Sequence, residues 1–445
     1  MKGARRGVIA GIVSALAATG GGGGLAAQQK PGPAPVQPTR LEVSLAEAVR
    51  RALDVQPEMI QARGAVRTAG ASGLTAWGAF LPTVTTNASA SRSNQDRFDP
   101  ASTQRLPPGY SYSGGLTASL DLFDGFRRLA NVRAASAGED AAGAGLVNQR
   151  YQTTLATQQA FFTALANEEL ARVGEAQLQR AKEELQIAVN KFQAGAATRS
   201  DTLTATVDLG NAQLSLLQAR ANLATAQANL GRQIGVDQPV RAVPDTAFPG
   251  LPDTAAVRAS ALETAPIVEQ ARAQARAASA QVWSTRSQYW PTVTLAYNNS
   301  RTGIGSPTLP LFDTYRETFT WRFGFSWTLF NGFQREQSQV SASVTRDIAT
   351  AQAADARRQV NAQLTQQLAA LFTAYATIGI TGANVAAATE AGRVTQERYR
   401  LGAGTLLDLL TAQANLTQAQ VNQVQARYNY LIARAQVEAL VGHPL

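Results

Sequence analysis

The sequence has no cysteine, one histidine and only 16% charged residues, and each shortage excludes a class of function. Without cysteine the chain can form no disulfide framework, no thiolate nucleophile and no cysteine-based metal site. The single histidine, His443, lies near the C-terminal end, where we expect a frayed residue and not a catalytic group. No paired carboxylates, nucleophile with a base or phosphate-binding loop stands out. We therefore expect no enzyme, no cofactor, no catalytic residue and no metal site.

Clusters of basic residues are also missing. The net charge is +9, but no run of lysine and arginine is long enough to indicate a nucleic-acid partner. Lys2, Arg5 and Arg6 precede a short apolar run and a group of small residues. This order is typical of a secretory signal peptide, which we predict at residues 1–27.

Long apolar runs are missing as well. The run in the signal peptide is too short to span a membrane as a helix, which takes about 20 apolar residues. We find no later segment that combines this length with helical character. If the chain sits in a membrane, strands must place it there, because only helices and closed barrels span lipid.

Residues 318–329 have the pattern of a membrane strand. Large apolar residues alternate strictly with polar residues or glycine, and the side chains of a strand point alternately to its two faces. Arg322 belongs to the polar face. The aromatic members of the other face are Phe319, Trp321, Phe323, Phe325 and Trp327. A strand between lipid and a watery lumen has this pattern, so we predict that the aromatic face contacts lipid.

The chain is an internal duplication. The pentapeptide L-F-D-G-F at 122–126 recurs as L-F-N-G-F at 329–333, which is 207 residues later. Nearer the start of each half, P-T-V-T at 82–85 recurs at 291–294, which is 209 residues later. We call such pairs equivalent positions. The two-residue change falls between the first and second strand of each half, where a loop tolerates length variation.

The duplication sets the domain organisation. After the signal peptide we predict a proline-rich linker at 28–43, a first repeat at 44–235, an extended linker at 236–253 and a second repeat at 254–442. Each repeat reads as helix, strand, loop, strand, very long helix, glycine turn and long helix. The strands fall at about 83–91, 110–122, 292–300 and 314–329.

Proline is absent from 109–238 and from 311–443, which permits uninterrupted helix over most of both regions. Helices at about 126–192 and 333–400 would each be about 100 Å long. Such lengths exceed those of ordinary globular helices and indicate a coiled-coil or tubular assembly.

The turns after the two long helices form the predicted helix tips. Gly195 and Gly402 allow the left-handed backbone that ends a helix. Thr198 or Ser200 in the first tip, and Thr405 in the second, can cap the helix that follows. Asp201 and Asp408 fall in the first turn of that helix, where a carboxylate opposes the positive end of the helix dipole.

Four strands are too few for a membrane barrel, which in bacteria has about eight or more. Open sheet edges are not tolerated in lipid, so several copies must pool their strands. We therefore predict an α+β membrane protein, in which a duplicated unit of two transmembrane strands and long coiled-coil helices assembles into an oligomeric β-barrel with helices extending from it.

The chain resembles the TolC-type outer membrane efflux proteins, also called outer membrane factors, over essentially its whole mature length. The features that carry the resemblance are the duplicated layout, the two hairpins, the F-D-G and F-N-G turns after the strands and the two matched helix tips. The resemblance implies a homotrimer whose twelve strands form one barrel in the outer membrane, with twelve helices continuing it as a tunnel into the periplasm.

The same resemblance implies the partners and the function. Outer membrane lipid, a periplasmic adaptor protein and an inner-membrane pump would be the partners, with no nucleic acid. The protein would be the passive exit duct of an efflux or type I secretion system. Its tips would contact the adaptor through Gly195, Thr198, Asp201, Gly402, Thr405 and Asp408.

The resemblance also places a gate at the periplasmic end. The candidate gate residues are Tyr399, Asp408 and Thr411. Two positions depart from the family pattern, because a second acidic residue is replaced by Thr411 and a bracing arginine by Gly404. We therefore do not expect a tight acidic cation-binding ring.

A second hypothesis is a non-conducting structural coiled-coil protein of the cell envelope. The long helices suit both hypotheses. The aromatic strand face separates them, because a coiled-coil spacer has no use for a lipid-facing surface.

Overall fold

The computed structural model describes residues 41–94, 97–99, 103–106, 110–244, 249–305 and 315–445. The predicted signal peptide and residues 28–40 of the predicted linker lie outside the described residues.

The described chain alternates helices and strands in two similar series. The first series is β1 (Leu41–Val43), α1 (Leu45–Val55), α2 (Pro57–Gly78), β2 (Thr83–Arg92), β3 (Arg97–Asp99), β4 (Gln104–Leu106), β5 (Tyr110–Phe123), α3 (Arg127–Gln193) and α4 (Arg199–Gln233). The second series is β6 (Val240–Ala242), α5 (Thr254–Thr264), α6 (Pro266–Arg286), a 3-10 turn (Ser287–Tyr289), β7 (Thr292–Gly305), β8 (Tyr315–Ser326), α7 (Gln334–Arg400) and α8 (Leu406–Val441).

The main sheet is a four-stranded antiparallel meander in the order β2-β5-β7-β8. Thr85 lies opposite Thr117 in the first hairpin, and the equivalent residues Thr294 and Gly324 lie opposite each other in the second. The two hairpins therefore pair in the same register. This agrees with the offsets of 209 residues between their first strands and 207 residues between their second strands. Strands β5 and β7 join the hairpins, and β2 and β8 are left as the two outer strands.

Each long helix begins at a tight turn directly after a strand. Gly125 and Gly332 both have a φ of 68°, and the following Phe126 and Phe333 both have a φ of 65°. A left-handed phenylalanine is strained, because its Cβ crowds the backbone. Helices α3 and α7 then run for 67 residues each, about 100 Å.

The two linkers contain structure that the sequence analysis did not predict. Strand β6 lies within the segment that we expected to be simply extended, and it pairs in parallel with β1. Val43, Val240 and Ala242 are buried there against Phe161 and Leu165 of α3. A second difference is the short β3–β4 hairpin, which lies in the predicted loop between β2 and β5.

One helix contradicts the expectation that no segment after the signal peptide is long and apolar enough to span a membrane as a helix. Among the described residues, α7 alone contains a window that is long and apolar enough to do so by length and composition. Little of that window is buried within the protomer. An apolar helix face that packs against another chain in an assembly passes the same test.

Candidate functional site

The aromatic face of β8 is largely exposed to solvent in the protomer. Phe319, Trp321, Phe323 and Phe325 are each more than 60% exposed. Trp327 continues the face beyond the strand, where its Nε1 donates a hydrogen bond to the Tyr289 carbonyl at 3.2 Å. From Phe319 to Trp327 the face covers nine residues, about 27 Å along the strand, and a tilted membrane strand takes about 9–11 residues.

Polar groups end the aromatic band at its far side. Arg301 and Glu317 lie opposite each other on β7 and β8 on the same face as the aromatic residues, and they form an ion pair at 3.3 Å. Tyr297 packs against Trp321, which lies four residues nearer the helices than Glu317, with 4.8 Å between ring centroids. The outer face of the second hairpin therefore changes from aromatic to charged where lipid would give way to water.

The two helix tips have the same hydrogen bonds. In each, the residue after the glycine donates its backbone N–H across the turn, from Ala196 to the Lys191 carbonyl and from Ala403 to the Arg398 carbonyl, both at 2.8 Å. These bonds, with positive φ at Gly195 and Gly402, close both helices in the Schellman manner.

Reciprocal capping bonds begin the helix after each turn. Thr198 Oγ1 accepts from the Asp201 N–H at 3.2 Å, while Asp201 accepts from the Thr198 N–H at 3.0 Å. Thr405 and Asp408 make the same pair of bonds at 3.1 and 3.2 Å. Thr198, and not Ser200, is thus the first cap. The bonds from the Thr405 side chain and backbone lower the pKa of Asp408, because they favour its ionised form.

The three candidate gate residues fall into two places. Asp408 and Thr411 together line an open groove between α7 and α8. Tyr399 is instead buried, and it packs in a cluster with Ala188, Ala205, Leu406 and Leu409 that joins the first-repeat tip to the second-repeat tip. The Lys191 ammonium lies 4.2 Å from the Tyr399 ring centroid and donates to its carbonyl. Burial raises the pKa of the Tyr399 hydroxyl, which has no hydrogen-bond partner among the described residues.

A partly buried charged layer behind this cluster was missed by the sequence analysis. Glu184 of α3 is only 2% exposed, and burial, followed by the nearby charge of Asp208 on α4, raises its pKa to about 7. Burial also raises the pKa of Asp208. Arg180, one turn from Glu184, donates to Thr417 Oγ1 of α8 at 3.1 Å. The sequence did contain one signal of this layer, namely that the three charges occur in the first repeat only. Their equivalents in the second repeat are the uncharged residues Ala387, Ala391 and Asn415.

Equivalent surfaces of the two repeats are covered differently. A Cβ on Gly125 would lie 2.6 Å from the Ser287 carbonyl oxygen and from Trp290 Cβ, whereas a Cβ on Gly332 would have no atom within 4 Å. On α4, Leu203, Val207, Leu214 and Leu217 form a stripe at heptad spacing and are each more than 55% exposed. The equivalent face of α8 packs against α3 within the chain.

Known proteins match this chain in sequence and in fold. The family model described as outer membrane efflux protein matches residues 48–236 and 257–443. Protein CyaE of Bordetella pertussis is 27% identical over 410 residues, covering 87% of this chain and 81% of that protein. The outer membrane efflux protein BepC of Brucella suis is 25% identical over 384 residues, covering 84% and 80%.

Among solved structures, the outer membrane protein VceC of Vibrio cholerae aligns with a TM-score of 0.73 at 20% identity, over 90% of this chain and 96% of that chain. The outer membrane channel CmeC of Campylobacter jejuni aligns with a TM-score of 0.73 at 20% identity, over 89% and 85%. At this level of identity the likeness is one of fold.

Proposed function

Since this chain belongs to the outer membrane efflux protein family, we propose that three copies form one outer membrane duct and its periplasmic tunnel. The protein is an outer membrane efflux channel whose helices extend into the periplasm. This membership disfavours the hypothesis of a non-conducting structural envelope protein. The trimer, the barrel details, the partners and the gate are the proposed parts.

The outer strands of the sheet support assembly by strand pairing. Among the described strands of the protomer, β2 and β8 each have one unpaired edge, which is not tolerated in lipid. The contact between β5 and β7 provides a template, because Ala118 lies opposite Tyr297. Moving each residue to its equivalent position pairs Phe325 of one copy with Ala88 of the next. By the same step Phe323 meets Ala90, so large aromatic side chains meet small ones in the half of the joint nearer the helices, while further along Trp321 would lie opposite Arg92.

Two further surfaces support contacts between neighbouring copies. The open space at Gly332 would receive Gly78 and Leu81 of the next copy, which are equivalent to Ser287 and Trp290. The apolar stripe on α4 would pack against α7 of another copy, as α8 packs on α3 within the chain. A head-to-tail contact of this kind closes into a ring when its rotation allows.

The proposal of three copies, and not two, rests on the likeness to the family. Two copies would supply eight strands and three would supply twelve, and both numbers are even, as membrane barrels of bacteria require. The family likeness favours three. We propose that a periplasmic adaptor and an inner-membrane pump complete the assembly and that the duct itself conducts passively.

The helix tips are the proposed docking site for the adaptor. Leu401 is 78% exposed and Leu407 is 73% exposed beside the second turn, and no described residue covers them. Exposed apolar side chains held on a rigid capped turn are typical of a protein contact. We propose that Gly195, Thr198, Asp201, Gly402, Thr405 and Asp408 shape this contact.

The same end of the tunnel is the proposed gate. Asp408 and Thr411 share a groove lined largely by alanine, asparagine and threonine, including Asn384 and Asn415. Tyr399 would hold the two tips together from its buried cluster. With one carboxylate per copy in this groove, the gate would be polar more than strongly acidic.

The observation that carries the proposal is the aromatic face on a sheet with two open and complementary edges. Purified protein in planar bilayers tests it, and we expect single-channel events from folded trimers. Folded trimers that give no events at any voltage would contradict a duct and favour the structural hypothesis.

The tips have a separate test. We expect Gly402→Pro or Asp408→Arg to abolish efflux-dependent drug resistance, because each destroys the capped turn, while membrane insertion remains normal. Normal efflux together with unchanged adaptor crosslinking in both variants would contradict the role of the tips.

A further inference from the structure

The polar face of the sheet carries an arginine with no counter-charge beside it. Arg322 points to the face opposite Trp321 and Phe323, and its neighbour across the strand pair is Ala296. Beyond Ala296 lies Ser119 of β5. The side chain is exposed, and it makes no ion pair or hydrogen bond with the part of the chain that the structure describes.

The rest of the polar face of these four strands is nearly free of charge in the described residues. It is built mainly from serine, threonine, asparagine and glycine. Its acidic residue, Asp121 of β5, lies nearer the helices and has a cation of its own, because the Arg127 guanidinium is 3.5 Å away. Arg316 lies further along the same face of β8, opposite Thr302. The face therefore has an excess of positive charge.

The first repeat carries no arginine at the equivalent position. That position is Gly115, where a Cβ would lie 2.9 Å from the Asn299 carbonyl oxygen and 3.2 Å from Asn87 Oδ1. A long side chain cannot be accommodated there without moving backbone. Each copy thus contributes one arginine at this level, spaced by a third of the ring in a trimer.

We propose that Arg322 of the three copies forms an anion-binding girdle inside the barrel, which favours the passage of negatively charged solutes. This inference rests on the proposed function, because it requires the polar face to line the lumen of a closed barrel. Transfer of the β5–β7 register puts Ser91 of the next copy beside Arg322. Small side chains then flank the guanidinium on both sides and leave its donors free for a passing anion.

The girdle has a defined dependence on salt. Charges in a water-filled lumen act over about 10 Å at 0.1 M salt and about 3 Å at 1 M. A multivalent anion is attracted more strongly than chloride, because each of its charges lies in the combined field of the three guanidinium groups. The attraction should be present at 0.1 M salt and largely lost at 1 M.

The test is a block of single-channel current by inorganic tripolyphosphate added to the β-barrel side of a planar bilayer. At 0.1 M KCl we expect Arg322→Gln to raise the half-blocking concentration on the order of tenfold, because three charges leave the lumen. Arg322→Lys keeps the charge, so its half-blocking concentration should equal that of the wild type. Arg301→Gln is the matched control, because this arginine lies on the lipid side of the sheet and should leave the block unchanged.

The outcomes separate this inference from the proposed function. Wild-type block that Arg322→Gln does not weaken, or block only from the helix-tip side, would overturn the girdle while leaving the duct intact. Absence of any channel activity in the wild type would overturn the duct, and the girdle with it. A native trimer band on a gel for Arg322→Gln checks that the variant is assembled.

Discussion

The two repeats share their elements but differ in what covers them. The surface of the first repeat around β5, Gly125 and α3 is filled by the second repeat of the same chain. The equivalent surface around β8, Gly332 and α7 is open. In the proposed assembly a single copy supplies two adjoining segments of a ring, and its open surfaces are the expected contacts with the next copies. The following predictions test this difference, from the largest expected effect to the smallest.

The largest effect should come from a charge on the open stripe of α4. We expect Leu214→Asp to abolish the trimer, because a carboxylate would be buried three times over in a helix contact without a partner. Light scattering on the purified protein gives the mass. Ser215→Asp is the control, since it lies about 100° round the helix and should assemble normally. A trimeric Leu214→Asp protein would show that the stripe is not an interface.

The second effect compares the two strand-exit glycines. Gly125→Ala should destabilise the protomer by about 3 kcal/mol, because its Cβ would overlap Ser287 and Trp290. Gly332→Ala should cost about 1 kcal/mol in the protomer, from its left-handed backbone alone.

Assembly into the trimer should change the loss of stability caused by Gly332→Ala but not the loss caused by Gly125→Ala. In the trimer the cost of Gly332→Ala should rise towards that of Gly125→Ala, while in the monomeric Leu214→Asp background it should stay small. Thermal unfolding followed by circular dichroism in both backgrounds measures this. Equal costs for Gly332→Ala in monomer and trimer would mean that nothing occupies the open space.

The third effect concerns the charged layer that only the first repeat has. The unfolded chain releases the Glu184 proton near pH 4.5, and the folded chain holds it until about pH 7. Stability should therefore fall as pH rises between these values and change little beyond them. Asp208, Glu183, Arg180 and Tyr399 are the titratable groups that act on Glu184.

Glu184→Gln removes this titration. We expect its melting temperature to exceed that of the wild type by a few degrees at pH 8 and to match it closely at pH 5. Ala391→Glu, at the equivalent and exposed position, should introduce no comparable dependence on pH in the protomer. A constant difference between Glu184→Gln and the wild type from pH 5 to pH 8 would contradict the assignment.

The smallest effect should be equal in the two repeats. Thr198→Ala and Thr405→Ala each remove one capping bond and should cost about 1 kcal/mol of local stability. Amide hydrogen exchange at the first turns of α4 and α8 reports this locally. Protection that changes in one tip only would mean that the two caps are not equivalent.

Local patterns were enough to predict much of the fold. Alternation predicted the aromatic strand, the absence of proline permitted the two long helices, and threonine with aspartate predicted the caps. The pairing of β1 with β6 could not be predicted in this way, because its partners are about 200 residues apart and each strand has only three residues. Tertiary packing, and not local pattern, selects such a pair.

The charged layer and the position of Tyr399 were hidden for a related reason. Glu184 stands on a helix among many polar residues, where a charge is normally solvated, but in the fold it is only 2% exposed and lies near Asp208 of α4. Tyr399 follows a glutamate and an arginine, and its cluster draws on four helices. Which face of a long helix is covered depends on its neighbours, and in the proposed trimer some of them belong to the next copy.

The central claim is that β8 of one copy pairs with β2 of the next in the register of β5 with β7. The double variant Ala88→Cys with Phe325→Cys tests it directly, since the chain has no other cysteine. Within one copy two strands separate these residues, about 14 Å, so an internal disulfide cannot form. We predict that mild oxidation gives a covalent ladder that ends at three copies on a non-reducing gel. Monomers alone, or equally strong linkage when Phe325→Cys is replaced by Phe319→Cys, would contradict the account.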